Sequence, residues 1–167
     1  FNETKWFKNG KEYDNEIIIK FKSILKKAEK KQLLHWYKTK NGFLAHTILL
    51  DQFSRHIYRN TADAYKNDKM CLEFVDKYLL CYLDRLKPIE SLFALMPYQH
   101  SENLCKQKTG LFFINYLLSK EKTKFGIKIL KIALKHQKAH YKVIKEFGRF
   151  PKRNIFLSRK SNKKEIN

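Results

Sequence analysis

Asp51 interrupts the stretch from Phe43 to Tyr58, whose apolar residues fall on most sides of a helix. A carboxylate in such a place needs a partner, because burying an isolated charge is costly. Arg55 stands four residues on, in the acid-before-base order that favours pairing along one helix, and Arg59 follows a turn later. This pattern has two readings: an internal salt bridge that ties the helix to a neighbour, or a polar pocket with Arg55 as an anion clamp. A second cluster is Met96-Pro97-Tyr98-Gln99-His100-Ser101-Glu102. Ser101 is expected to cap the following helix, with Glu102 in its first turn at the positive end of the dipole. That leaves His100 unexplained. His140 shares a helical face with Ala133, Gln137, Ile144 and Phe147, so it points toward the core or a cleft. It reads either as a satisfied core histidine or as an acid–base group. In the second case His100 or His140 would work with Asp51 or Glu102. The spacing is too scattered to predict a metal site, and no cofactor is expected. There is no phosphate-cradling Gly-rich loop, Gly-x-Ser-x-Gly elbow, His-Glu-x-x-His or dinucleotide fingerprint.

A further group runs Phe147-Gly148-Arg149-Phe150-Pro151-Lys152-Arg153-Asn154, followed by Arg159, Lys160, Lys163 and Lys164. Basic side chains interleaved with aromatics bind phosphates and stack bases. Equally, Arg149 and Arg153 can fold back to pair with Asp51 or Glu102.

The elements that must position these residues read as helices. From Asp14, a candidate N-cap, Ile17, Ile18, Phe21, Ile24, Leu25 and Ala28 keep one face. Lys20, Lys22, Lys26, Lys27, Lys30 and Lys31 take the other positions, and Trp6 and Phe7 are expected to pack beneath. Asn41-Gly42 signals a turn before the central helix. Asp68 is a second candidate N-cap, followed by Cys71, Leu72, Val75, Tyr78, Leu79 and Tyr82 at helical spacing. Pro88 suits a first turn, and that helix is expected to stop before Pro97. A helix from about Ser101 carries Leu104, Leu111, Phe112, Tyr116 and Leu117. The last long helix runs from about Thr123 to Phe147, with Gly148 as its terminator. No segment alternates with period two. The expected fold is all-α: one domain over 1–167, antiparallel helical hairpins in an array, and a basic C-terminal extension from about 148.

Five Gly and three Pro among 167 residues suit long helices, and 43% hydrophobic content excludes a disordered chain. Thirty-six Lys and Arg against sixteen Asp and Glu give a net charge of +20, which makes a polyanion, RNA above all, the expected partner. An AT-rich coding bias explains abundant Lys and Asn but not the scarcity of acids. Cys71, Cys81 and Cys105 form no Cys-x-x-Cys pair and suit a reducing compartment inside the cell, cytoplasm or mitochondrial matrix. No 18-residue apolar run predicts a membrane span. Since the chain begins at Phe1, its N-terminus is expected to be trimmed.

Taken in order, Leu49-Leu50-Asp51-Gln52-Phe53, Arg55, Ile57-Tyr58-Arg59, Met96-Pro97-Tyr98 with His100-Ser101-Glu102, Gln107, His140, and Phe147-Gly148-Arg149-Phe150-Pro151 with Arg153-Asn154 resemble the mainly bacterial "domain of unknown function 924" family. The resemblance runs from Trp6-Phe7 nearly to the C-terminus. It implies an all-α fold similar to the tetratricopeptide-like superfamily, and no established activity. The family's polar motif maps to Asp51, Gln52, Arg55, Arg59, His100, Glu102, His140, Arg149, Arg153 and Asn154. The chain departs from the pattern at Ser54 (usually proline), His56 (asparagine), Asn60 (glycine), Lys152 (histidine) and Ser158 (glycine). Losing the proline should relax a kink, and losing the histidine removes a titratable group from any shared pocket.

The expected function is therefore a non-enzymatic basic helical module docking on RNA or a ribonucleoprotein, with protein partners in such an assembly; an organellar ribosome is one candidate. Its contacts would be Arg149, Lys152, Arg153, Arg159, Lys160, Lys163 and Lys164. The alternative is an enzyme of unnamed reaction built on Asp51, Arg55, His100, Glu102 and His140. A peptide-binding scaffold rests on fold analogy alone.

Overall fold

The computed structural model describes residues 10–166, so the packing expected of Trp6 and Phe7 lies outside the described residues. Within them the secondary structure is helical and no strand occurs. The helices are α1 Asp14–Glu29, α2 Lys40–Ile48, α3 Ser54–Ile57, α4 Asp68–Tyr82, α5 Pro88–His100, α6 Leu104–Lys120, α7 Lys124–Phe147 and α8 Lys163–Ile166. Shorter 3-10 turns join them, and a π-helical turn, Leu49–Phe53, runs α2 directly into α3. The chain divides into two compact units, Phe1–Cys81 and Tyr82–Asn167.

In the first unit the predicted apolar face of α1 packs as expected. Leu25 and Ala28 join Leu33, Leu49, Leu50, Ile57 and Cys71 in one core, with Ile17, Ile18, Phe21 and Ile24 against it. Asn41-Gly42 does not make a turn; it lies in the first turn of α2, where the Thr39 side chain accepts the Gly42 N–H. Glycine is required there because a Cβ would stand 2.1 Å from the Trp36 carbonyl oxygen. Asp14 and Asp68 are not N-caps either. Each is the first helical residue of its element, and each carboxylate is drawn to an arginine, Asp14 to Arg59 just past α3 and Asp68 to Arg55 within it. The guanidinium pairs are charge-assisted hydrogen bonds, and the forked donor geometry of arginine engages each carboxylate directly.

The second unit is built on α5, in which Ser91 to Gln99 are all buried. Pro88 opens this helix as expected, and the Glu90 side chain accepts the Lys87 N–H. The helix does not stop before Pro97; it continues to His100. An internal proline costs one helical bond, and the burial of the whole segment outweighs it. The next helix also starts later than expected. Ser101 terminates α5, and Asn103 caps α6 by accepting the N–H groups of Cys105 and Lys106. The buried stripe of α6 is Gln107, Gly110 and Ile114, whereas Phe112 is 65% exposed. α7 begins after its cap Thr123 and ends at Gly148, whose φ of 70° is the left-handed conformation that suits glycine. Three-residue connections from α5 to α6 and from α6 to α7 make these helices successive hairpins.

Candidate functional site

In the first unit Asp51 sits on the π-helical turn and is 1% exposed. Its Oδ2 accepts from Gln52 Nε2 at 2.6 Å. Arg55 Nη1 lies 3.5 Å from Asp51 Oδ1 and donates to the Asp51 carbonyl at 2.6 Å. The same guanidinium reaches Asp68 of α4 at 2.9 Å. Burial alone would ease its deprotonation, but Asp51 and Asp68 outweigh that and raise its pKa. This is the tie between neighbouring helices that the spacing of Asp51 and Arg55 suggested. Cys71 is buried, its Sγ donating to the Thr47 carbonyl, and desolvation, reinforced by both aspartates, pushes its thiol well up. It is a packing residue rather than a thiolate nucleophile.

Arg59 belongs to a different pair. It binds Asp14 through Nε and, at 2.7 Å, through Nη2, while His56 Nδ1 lies 2.8 Å from the same carboxylate. Burial raises the Asp14 pKa, but the hydrogen bonds from Arg59 and His56 overcome that and hold it low. Ser54 is fully buried, and its Oγ accepts from Asn67, which also donates to Glu29. His46 is a further buried polar residue of this unit, within an apolar stretch of sequence that carries no signal for it. It is 0% exposed, shares a hydrogen bond with the Tyr37 hydroxyl through Nδ1, and is enclosed by Trp36, Tyr37 and Phe74. Desolvation lowers its pKa to about 4, and its Nε2 is buried with no hydrogen-bond partner among the described residues.

In the second unit a ladder of buried amides supports the motif. Gln137 Nε2 donates to Gln107 Oε1 at 2.6 Å, and Gln107 Nε2 donates to the carbonyls of Gln99 and Ser101. Gly110 leaves room for it, since a Cβ there would meet Gln137 Oε1 at 2.7 Å. His140, half-buried, donates from Nδ1 to the Gln99 carbonyl at 3.0 Å. A carbonyl can only accept, so Nδ1 carries the proton and neutral His140 keeps its lone pair on Nε2. Burial, then the neighbouring His100, lowers its pKa to about 4. The rings of His100 and His140 are 6.0 Å apart, and Phe150 stands edge-on to His140 at 5.3 Å.

Glu102 is not a dipole partner of α6. It accepts both Nη atoms of Arg159, at 2.7 and 2.9 Å, and the N–H of Phe150. Burial raises its pKa, yet Arg159 and the Phe150 N–H prevail and hold it below the ordinary range. The fold-back expected of Arg149 and Arg153 is also redistributed. Arg149 binds Glu165 of α8 and holds its carboxyl at about 2, while Arg153 donates to the His100 carbonyl and lies 4.6 Å over the Phe150 ring. Arg159 engages both oxygens of Glu102 at once through its planar fork.

The predicted residues thus fall into two groups. Asp51 and Arg55 sit together in the first unit; His100, Glu102, His140, Arg149, Arg153 and Arg159 sit in the second. Of the predicted nucleic-acid contacts, Arg149, Arg153 and Arg159 are bound to groups of the fold, and Lys152, Lys160, Lys163 and Lys164 are exposed. A depression of about 180 Å³ in the second unit is bordered by Asp84, Pro88, Ser91, Lys120 and Glu121, and no predicted site residue lines it. Among the described residues no cluster of three or more His, Cys, Asp and Glu is placed to hold a metal ion, and no helix is long and apolar enough to cross a membrane.

A family model described as bacterial protein of unknown function (DUF924) matches residues 1–167. A solved structure of a protein of unknown function, ATU0120 from Agrobacterium tumefaciens, is similar at 25% identity and a TM-score of 0.84, covering 99% of this chain and 88% of that one. No curated protein matches the chain.

Proposed function

The chain belongs to the bacterial family of unknown function (DUF924), and from that premise we propose that it is a non-enzymatic basic helical module that docks on RNA or a ribonucleoprotein. The observation that carries this reading is where the acids are spent. Asp14, Glu29, Asp51, Asp68, Glu102 and Glu165 are engaged with arginine, lysine or asparagine side chains of the fold. A chain of net charge +20 therefore turns a lysine-rich face to solvent, including Lys152, Lys160, Lys163 and Lys164. Such a surface repels itself and is relieved by a polyanion. The mutual pairing of the motif's charged residues also makes them holders of structure first. The partner is an RNA-containing assembly, an organellar ribosome being one example, in a reducing compartment such as cytoplasm or mitochondrial matrix; Cys71, Cys81 and Cys105 as thiols fit that setting.

Fluorescence anisotropy of purified protein with labelled RNA tests the reading. Binding should weaken steeply with salt, because each phosphate contact releases counterions. Salt-insensitive binding, or none, together with failure to co-sediment with ribonucleoprotein, would sink it. One observation favours the enzyme alternative: Nδ1 of His140 is fixed on a carbonyl, which leaves Nε2 a base at neutral pH. A turnover found on a panel of ester, phosphate and glycoside substrates, abolished by His140→Gln in a folded protein, would establish that reading instead.

A further inference from the structure

α7 carries seven lysines: Lys124, Lys128, Lys131, Lys135, Lys138, Lys142 and Lys145. Their spacing alternates four and three residues without a break, which at 3.6 residues per turn confines them to an arc of about 100°. All seven are exposed. The opposite side of the helix is the core face, formed by Ile129, Leu130, Ala133, Gln137 and Ile144. Glu146 is the helix's one acid, at the far end of the row, and among the described residues none of the seven makes an ion pair. Near the start of the row Lys124, Lys128, Lys131 and Lys135 border a shallow groove with Ile127 and Ile132. The result is a straight line of positive charge roughly 32 Å long, at a rise of 1.5 Å per residue.

We propose that this row is a track for one phosphodiester strand, a single strand of RNA. The inference rests on the RNA-docking reading above and names the surface that carries it. The form of the charge selects the occupant. A single file of ammonium groups, each about 4.5–6 Å from the next along the axis, matches a linear polyanion that can follow a groove. A membrane surface is a poorer match: a helix that lies on lipid inserts its apolar face, and here that face is already buried in the protein. Lysine point charges on phosphates carry no base preference, so binding is independent of sequence.

The test uses the whole chain and a labelled, unstructured single-stranded RNA of about 20 nucleotides, read by anisotropy across a salt series. One variant replaces Lys128, Lys131, Lys135 and Lys138 with Gln; another replaces the same four with Arg. A charge-matched control replaces the exposed Lys38, Lys69, Lys77 and Lys108 with Gln. The Gln row variant should bind at least about ten-fold more weakly and lose about 3 from the log–log salt slope, since each single-strand phosphate contributes about 0.7. The Arg variant should retain affinity, and the control should lose less than about three-fold. Circular dichroism confirms folding, and because all four side chains are exposed no core contact is lost. If row and control variants weaken alike, the track is wrong while the RNA-docking reading stands. If the wild-type protein binds no RNA, both fall. Retained RNA binding in the Gln row variant with loss of binding to anionic vesicles, or poly-glutamate bound as tightly as RNA through the same lysines, would also overturn the track.

Discussion

Arg55 pairs with two carboxylates, Asp51 and Asp68, and removing it would take a shared cation from both. Arg55→Met should destabilise the protein by about 3–5 kcal/mol in urea denaturation, and adding Asp68→Asn should recover part of the loss. Backbone strain gives a prediction of opposite sign. Asn60 and Ser158 have φ of 62° and 51°, in the left-handed region that favours glycine. Ser158→Gly should raise stability by about 1 kcal/mol, and Asn60→Gly by less, because asparagine tolerates this conformation better. The buried histidines set a pH dependence. His46 and His140 titrate near 4 in the folded protein against 6.5 for an ordinary histidine. Between those values the unfolded chain binds more protons, so stability falls as pH is lowered through this window and levels off below it. His46 accounts for up to about 3 kcal/mol of that loss. His46→Phe should flatten the slope, and the His46 and His140 ring resonances should titrate near pH 4 by NMR.

At the scale of the element, α6 and α7 meet through Gly110 and the amide ladder rather than through a wholly apolar seam. Gly110→Ala puts a methyl group 2.7 Å from Gln137 Oε1 and 2.9 Å from the Tyr98 Cβ. It should cost about 1–3 kcal/mol, seen as a lower melting temperature. α7 shows a different compromise. Every lysine-to-lysine step along its outer face is an i,i+3 or i,i+4 pair of like charge, each unfavourable by about 0.2–0.5 kcal/mol. Its strong core stripe and its two caps, Thr123 and Gly148, hold it in spite of that. The ends of α7 were legible in the sequence because capping is local. Its lysine row is equally local and is signalled by the alternating four-and-three spacing of Lys124 to Lys145.

For the whole molecule the net charge of +20 sets the terms. Screening should stabilise the protein, so the melting temperature should rise between low salt and about 0.3 M, where the Debye length has fallen below about 8 Å. RNA should raise it at low salt and lose that effect as salt increases. A melting temperature that falls with added salt would contradict a surface dominated by self-repulsion.

The sequence alone determined the helical class, the core faces of α1, α4 and α7, the termination at Gly148 and the positions of the motif residues. Each of these follows from spacing or from a residue's own backbone preference, which act over one or two turns. Only the tertiary structure decided the partners. Asp14 meets Arg59 across 45 residues and Glu102 meets Arg159 across 57, distances over which no periodicity carries a signal. For the same reason Asp14, Asp68 and Ser101 looked like caps: each has the right chemistry for a helix end. For Asp14 and Asp68 a charged partner, Arg59 or Arg55, took precedence; for Ser101 a neighbouring cap, Asn103, did.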